Sequence, residues 1–286
     1  MIDKFTKFIG DKIIHRQSIR FFTILVYGWF VLNAFMLWPS KDMLWGADKI
    51  FFRHGFPDGI LSNFFYMLVY QSTRAPYIFY LHIVAALVSM AEFRWSLLPR
   101  LITWATGWML FYSATEVFNS GIMLMLMMAF FSSFIYTKAR DYYGVSVSNF
   151  MRAACITQLI MVYAVAGLYK LTGSQWLSGE AFYYALQIDQ YSSPFWQTAD
   201  VIAIPGLYAT MNYIGFGYQL LFPVLIWIKK LRPFFLICGL SFHLFIGIFM
   251  HLWDFAFAMI FCYVLFLEDK NIASLKRFFK RQGITK

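Results

Sequence analysis

Charge is scarce in this chain. Only 13% of its 286 residues are Asp, Glu, Lys or Arg, against roughly a quarter in an ordinary soluble domain, and long stretches carry none. A hydrocarbon solvent explains that pattern better than one large soluble core. Cysteine is also sparse: Cys155, Cys238 and Cys262 all lie within apolar stretches, with no CxxC and no clustered histidine. A disulfide framework and a metal site are therefore not expected, and the three read as small packing residues. A phosphate-cradling glycine loop, a GxSxG elbow, an HExxH pair and a CxxCH haem motif are lacking too, so the chemistries they serve are not indicated. No small-residue cleavage site follows the first apolar run, which ends Leu37-Trp38-Pro39. That run is expected to stay as an anchor.

Apolar residues make up 60% of the chain and aromatic residues 22%, as suits lipid-facing helices with interfacial belts. The expected fold is all-α: a polytopic membrane helix bundle of about eight transmembrane helices, since a crossing needs ~20 apolar residues. The candidate spans are 21–38, 75–93, 101–118, 121–137, 153–171, 204–228, 233–252 and 254–267. Residues 1–20 are expected to form a cytoplasmic amphipathic segment, with Ile2, Phe5, Phe8, Ile9 and Ile13 set against Lys4, Lys7 and Lys12. A single transmembrane domain then occupies 21–268, and 269–286 is a basic cytoplasmic tail.

The net charge of +10 reads as topology. Nucleic-acid binding would need a basic stripe on a soluble face, whereas here the positive charge is parcelled into short loops. With the N-terminus inside, only Lys41, Lys49, Arg53, Arg74 and Lys170 of the 24 Lys and Arg fall in outer segments. The positive-inside rule predicts that asymmetry. It implies a multi-pass protein of the inner (plasma) membrane with both termini cytoplasmic.

Two long outer loops, about 39–74 and 172–203, are expected to be structured. In the first, Ile60, Leu61, Phe64, Phe65 and Leu68 share a helical face. Ionisable groups at membrane depth are costly and mark candidate sites. They are His82, His243 near mid-span, His251, and Lys170 at the outer end of the fifth span; Glu116, Glu180, Asp189 and Asp200 lie on the outer side. Asp254 follows His251 by three residues, which would set both on one helical face. Each has a plainer alternative. Lys170 can snorkel to the interface, His82 and His243 can be hydrogen-bonded packing residues, and His251 with Asp254 can be a surface pair.

One stretch is more specific. Gln158–Leu186 reads QLIMVYAVAGLYKLTGSQWLSGEAFYYAL. Its Ala166-Gly167-Leu168-Tyr169-Lys170 at the end of a span, followed by Trp176-Leu177-Ser178-Gly179, resembles the signature of the horizontally transferred transmembrane (HTTM) domain family. That family includes the membrane part of vitamin K-dependent gamma-carboxylase. Arg232-Pro233, Ser241-Phe242-His243 and Phe222-Pro223 match further along, so the resemblance covers most of 100–270. It implies a helix bundle whose working side faces the lumen or periplasm. There Lys170 would be the base that deprotonates a reduced quinone such as menaquinol, and His243 matches a histidine of the domain.

Asn119, Tyr169, Trp176, His251 and Asp254 are the expected substrate-binding residues around that base. The chain departs from the carboxylase at Asn119-Ser120-Gly121, where the carboxylase has an Asn-His pair. It also has Gln219 where many members carry Glu before the Phe-Pro, and it has no counterpart of the luminal β-rich substrate-recognition region. Recognition would fall to the outer loops or a partner.

Two functions follow as expectations. The first is a membrane enzyme using the lysine base at the outer face on a quinol-like lipid or a secreted peptide. Taking a lysine out of water favours its neutral, basic form. The second is a non-catalytic binding or maturation protein for a secreted peptide, a lipid or a membrane partner. A transporter has less support, because no inverted repeat or pair of broken spans is present.

Overall fold

The apolar segments fold as helices. A computed structural model describes residues 10–46, 75–114, 117–188 and 205–281. Residues 1–9, most of the first long loop with its Ile60–Leu68 face, Glu116, Asp189, Asp200 and residues 282–286 lie outside the described residues. The longer helices are α1 (Arg16–Leu37), α3 (Ala75–Met90), α4 (Leu97–Ser113), α5 (Ser120–Ser133), α6 (Tyr142–Lys170), α9 (Pro205–Leu225), α10 (Arg232–Met250), α11 (Trp253–Cys262) and α12 (Asp269–Arg281). Shorter ones are α2 (Lys41–Trp45), α7 (Ser174–Ser178) and α8 (Ala181–Leu186). No strand occurs among the described residues.

Each expected span overlaps a helix. Three helical stretches are long and apolar enough to cross a membrane: Arg16–Trp45, Tyr142–Lys170 and Arg232–Met250. Ala75–Met90, Ser120–Ser133 and Trp253–Phe266 are apolar but shorter. Exposed faces carry large apolar side chains, among them Leu81, Val84 and Val88 on α3 and Phe234, Ile237 and Ile248 on α10. Such faces are compatible with a hydrocarbon solvent.

Contacts divide the chain into two compact units, Met1–Cys155 with Val264–Lys286, and Ile156–Tyr263. The division falls within α6.

In the first unit, polar side chains tie helix ends to neighbouring segments. His15 precedes α1 in a left-handed conformation and makes no side-chain cap. Asp269, from the start of α12, caps instead, accepting from the N–H groups of Gln17 (2.8 Å) and Ser18 (3.1 Å). A carboxylate at this helix end meets otherwise orphaned donors and the positive end of the dipole. The Ser18 hydroxyl donates to the Val264 carbonyl at 2.6 Å. α6 starts earlier than the expected 153 because its first turns are polar and have partners. Asn149 accepts from Ile14 N–H (2.9 Å) and donates to Lys12 O (2.8 Å), and Arg152 donates to Leu265 O (3.1 Å).

Arg100, expected at an inner loop, is buried in the first turn of α4 with 2% exposure. Its guanidinium donates to Ile135 O at 2.5 Å, with longer approaches to Ser132 O and Ser89 O, and stands 5.6 Å from the Tyr27 ring centroid. Ile135 lies two residues past the end of α5, so the cation stands at the negative end of that helix and satisfies a carbonyl beyond its last turn. His82 is a buried packing residue, bonded through one ring nitrogen, while its Nε2 has no hydrogen-bond partner among the described residues. Its Nδ1 lies 2.8 Å from Thr106 Oγ1, and Phe30 and Phe111 stand edge-on to its ring.

Arg100→Leu should strip the Ile135 carbonyl of that donor and lower stability by about 1–3 kcal/mol. A thermal melt of the purified chain in detergent checks this. An unchanged midpoint would contradict the assigned role.

Candidate functional site

In the second unit, Gly167 lets α9 come close to α6. A Cβ placed at Gly167 would meet Leu220 and the Gln219 backbone at 3.0–3.2 Å. Lys170 lies one turn further along α6, on the same side. Its Nζ donates to Gln219 Oε1 at 2.6 Å and sits 4.5 Å from the centroid of the Trp176 ring. The lysine is half-buried, and among the described residues no carboxylate pairs with it. Each part of the Ala-Gly-x-x-Lys…Trp-x-x-Gly pattern thus has a physical job here. The glycine permits close packing, the lysine reaches across, and the tryptophan face lies against its nitrogen.

Trp176 is held by its loop. Gly179 ends α7 in the left-handed region (φ 85°), where a Cβ would be strained and would press on the Tyr213 ring. The backbone then returns toward α9, where Asn212 Nδ2 donates to Trp176 O (2.9 Å) and the Tyr213 hydroxyl donates to Leu177 O (2.8 Å).

A second polar cluster lies in the same unit and was not anticipated from the sequence. His243 is 1% exposed on α10, and its Nε2 is 2.7 Å from the Tyr163 hydroxyl of α6. That hydroxyl is 2.5 Å from Tyr263 Oη, which is 3.1 Å from Tyr218 Oη on α9. Tyr218 donates to the Phe235 carbonyl at 3.2 Å. Each phenol has one proton. With Tyr218 donating to Phe235 O, Tyr263 must donate to Tyr218, Tyr163 to Tyr263, and His243 Nε2–H to Tyr163. Reversing the direction leaves the carbonyl link unmade, so this order satisfies more groups. It also leaves His243 Nδ1 as an acceptor with no hydrogen-bond partner among the described residues. Gly239 makes the cluster possible, since a Cβ there would lie 2.1 Å from Tyr218 Oη and 2.2 Å from Tyr263 Oη.

The sequence-predicted residues are only partly brought together. Lys170 and Trp176 meet, and Gln219, noted as a departure from the family pattern, is the lysine's partner. Tyr169 is 79% exposed and is not among the contacts of Lys170. His243 engages Tyr163, which is two turns before Lys170, roughly 10 Å along the helix axis. Asn119 belongs to the other unit. Its side chain caps α5, accepting from Gly121 N–H (2.8 Å) and Ile122 N–H (3.2 Å).

The shared helical face expected of His251 and Asp254 is corrected. His251 is exposed and ends α10 in the left-handed region (φ 56°), Leu252 precedes α11, and Asp254 sits in the first turn of α11. A chain break between two helices cancels the three-residue spacing. All three cysteines are free thiols. Among the described residues no group of three or more His, Cys, Asp or Glu could hold a metal.

No protein-family model, curated protein or solved structure matches the chain.

Gly239→Ala should be poorly tolerated, because two hydroxyls would have to retreat from the new methyl group, at a cost of about 1–3 kcal/mol. Tyr163→Phe should cost a similar amount, about 1–3 kcal/mol, by leaving His243 Nε2 and Tyr263 without their shared partner. Melting temperatures of both variants check this. Wild-type stability in Tyr163→Phe would contradict the linked cluster.

Proposed function

We propose that the chain is a multi-pass inner-membrane enzyme of the HTTM and gamma-carboxylase-like kind, with Lys170 as a base acting at the outer face on a quinol-like lipid. The observation that carries this reading is the placement of the lysine nitrogen. It is turned onto Gln219 and the Trp176 ring, with a neutral amide as its only hydrogen-bond partner among the described residues. A snorkelling lysine instead extends its ammonium into water. A carboxylate at position 219 would hold the ammonium charged; a glutamine leaves the amine able to take a proton and give it back.

The proton would pass from a quinol hydroxyl to Lys170 Nζ, and the resulting ammonium would steady the quinolate beside it. Trp176 offers an aromatic face for the ring. The resemblance supplies the substrate class, a reduced quinone such as menaquinol. Gln219 is added to the residues expected from sequence, while Tyr169, Asn119, His251 and Asp254 are not assigned to the base. His243 and the tyrosines are proposed to brace α6 beneath it.

Eight spans with cytoplasmic termini belong to the same proposal and rest on the basic-residue asymmetry. A reporter fused after Lys286 should behave as cytoplasmic and one inserted near Asp189 as periplasmic. The opposite result at either place would overturn the topology.

The resemblance implies that the quinolate is then oxidised by dioxygen as co-reactant, so the direct check of function is oxygen uptake by the full-length chain in nanodiscs containing menaquinol. Lys170→Gln should lose about a hundredfold or more, the usual worth of a general base. Lys170→Arg should fail as well, because a guanidinium stays protonated. Gln219→Glu should slow the reaction by pairing with the lysine. Undiminished uptake by Lys170→Gln contradicts the base. Absence of uptake by the wild type favours the second reading, a non-catalytic binding or maturation protein for a secreted peptide or lipid, for which the docking of α7 and its loop onto α9 would provide a fixed surface.

A further inference from the structure

The first unit contains a cavity of about 400 Å³ at the start of α1. Arg16, Arg20 and Lys138 bring positive charge to its wall, Phe21 and Ile24 make an apolar side, and Thr137 adds a polar backing. Arg16 and Arg20 are four residues apart and share a face of α1. Neither guanidinium is paired with a carboxylate among the described residues.

The neighbouring carboxylates are already engaged. Glu92 accepts from the backbone N–H of Thr137 and, at 2.6 Å, from its hydroxyl, and Asp269 accepts from the N–H groups of Gln17 and Ser18. Lys138 is fixed by donating one proton to the Glu92 carbonyl at 2.7 Å, which leaves its other protons open. Even with both carboxylates counted, the cavity is cationic. The N–H groups of Gln17, Ser18 and Thr137 are already taken, so what it chiefly offers a ligand is charged side chains beside apolar ones.

We propose that this cavity binds the phosphate headgroup of an anionic phospholipid. Guanidinium forks match phosphate oxygens in pairs, and the adjoining Phe21 and Ile24 suit the start of an acyl chain. The position agrees. Arg16 opens the stretch Arg16–Trp45, which is long and apolar enough to cross a membrane, so its first turn would stand at headgroup level. Basic pockets beside membrane helices hold such headgroups, with each cation contributing. The site is independent of Lys170 and of any reaction there.

The test is native mass spectrometry of the full-length chain in detergent micelles carrying equal amounts of phosphatidylglycerol and phosphatidylcholine. Wild type should retain phosphatidylglycerol preferentially, and Arg16→Gln/Arg20→Gln should lower retention by about tenfold or more. Lys138→Gln, at an exposed position outside the helix, should give a smaller loss and guards against a folding defect in the double variant. Lys229→Gln/Lys230→Gln removes the same charge elsewhere and should leave retention unchanged. Raising the salt should weaken retention in wild type. Equal losses in the control pair, no preference over phosphatidylcholine, or displacement of the lipid by an equal concentration of inorganic phosphate would each overturn the proposal.

Discussion

Polar groups buried among apolar helices have no bulk water to turn to, and many of those described here pair with one another or with backbone N–H and C=O groups. An unsatisfied N–H or hydroxyl in such surroundings costs kilocalories, so packing that brings such a group to a partner is strongly favoured. Arg100 finds the carbonyl end of α5 and Asp269 finds the amide end of α1. The Tyr163, Tyr218, Tyr263 and His243 cluster closes on the Phe235 carbonyl. These pairings are directional where apolar contact is not. They specify which helix meets which, and at what height.

Glycine is the other half of that constraint. A short hydrogen bond across two helices requires the backbones to be close, and a side chain at the crossing point would hold them apart. Gly239 opens the space that two tyrosine hydroxyls fill, and Gly167 opens the space that brings Gln219 to Lys170. The second case bears on function. It sets a lysine between a neutral amide and an aromatic face, the placement on which the proposed base rests.

Much of this was legible in the residue pattern, and for physical reasons. Apolar runs of near-spanning length can do little except form helices, and those segments are helical. Gly167, Lys170 and Trp176 stood out because their spacing is specific. The tyrosine cluster is hidden among abundant aromatics, whose pattern suits lipid-facing or interfacial surface. A phenol in the middle of an apolar stretch is a signal of its own, since its hydroxyl must have a partner. The charge count places Arg100 at a loop, because its closest partner, the Ile135 carbonyl, comes from thirty-five residues later in the chain. The break at His251 carries no glycine or proline to announce it, so the spacing to Asp254 looked helical.

The account depends most on Lys170 facing a bound quinol. A photoactivatable menaquinol analogue, cross-linked to the full-length chain in nanodiscs and mapped by mass spectrometry, tests that contact without requiring turnover. The account predicts labelling concentrated on Trp176 and the Gln219 turn of α9, competed by unlabelled menaquinol. Labelling spread along the exposed apolar faces of α3 and α10, with no competition, would contradict it.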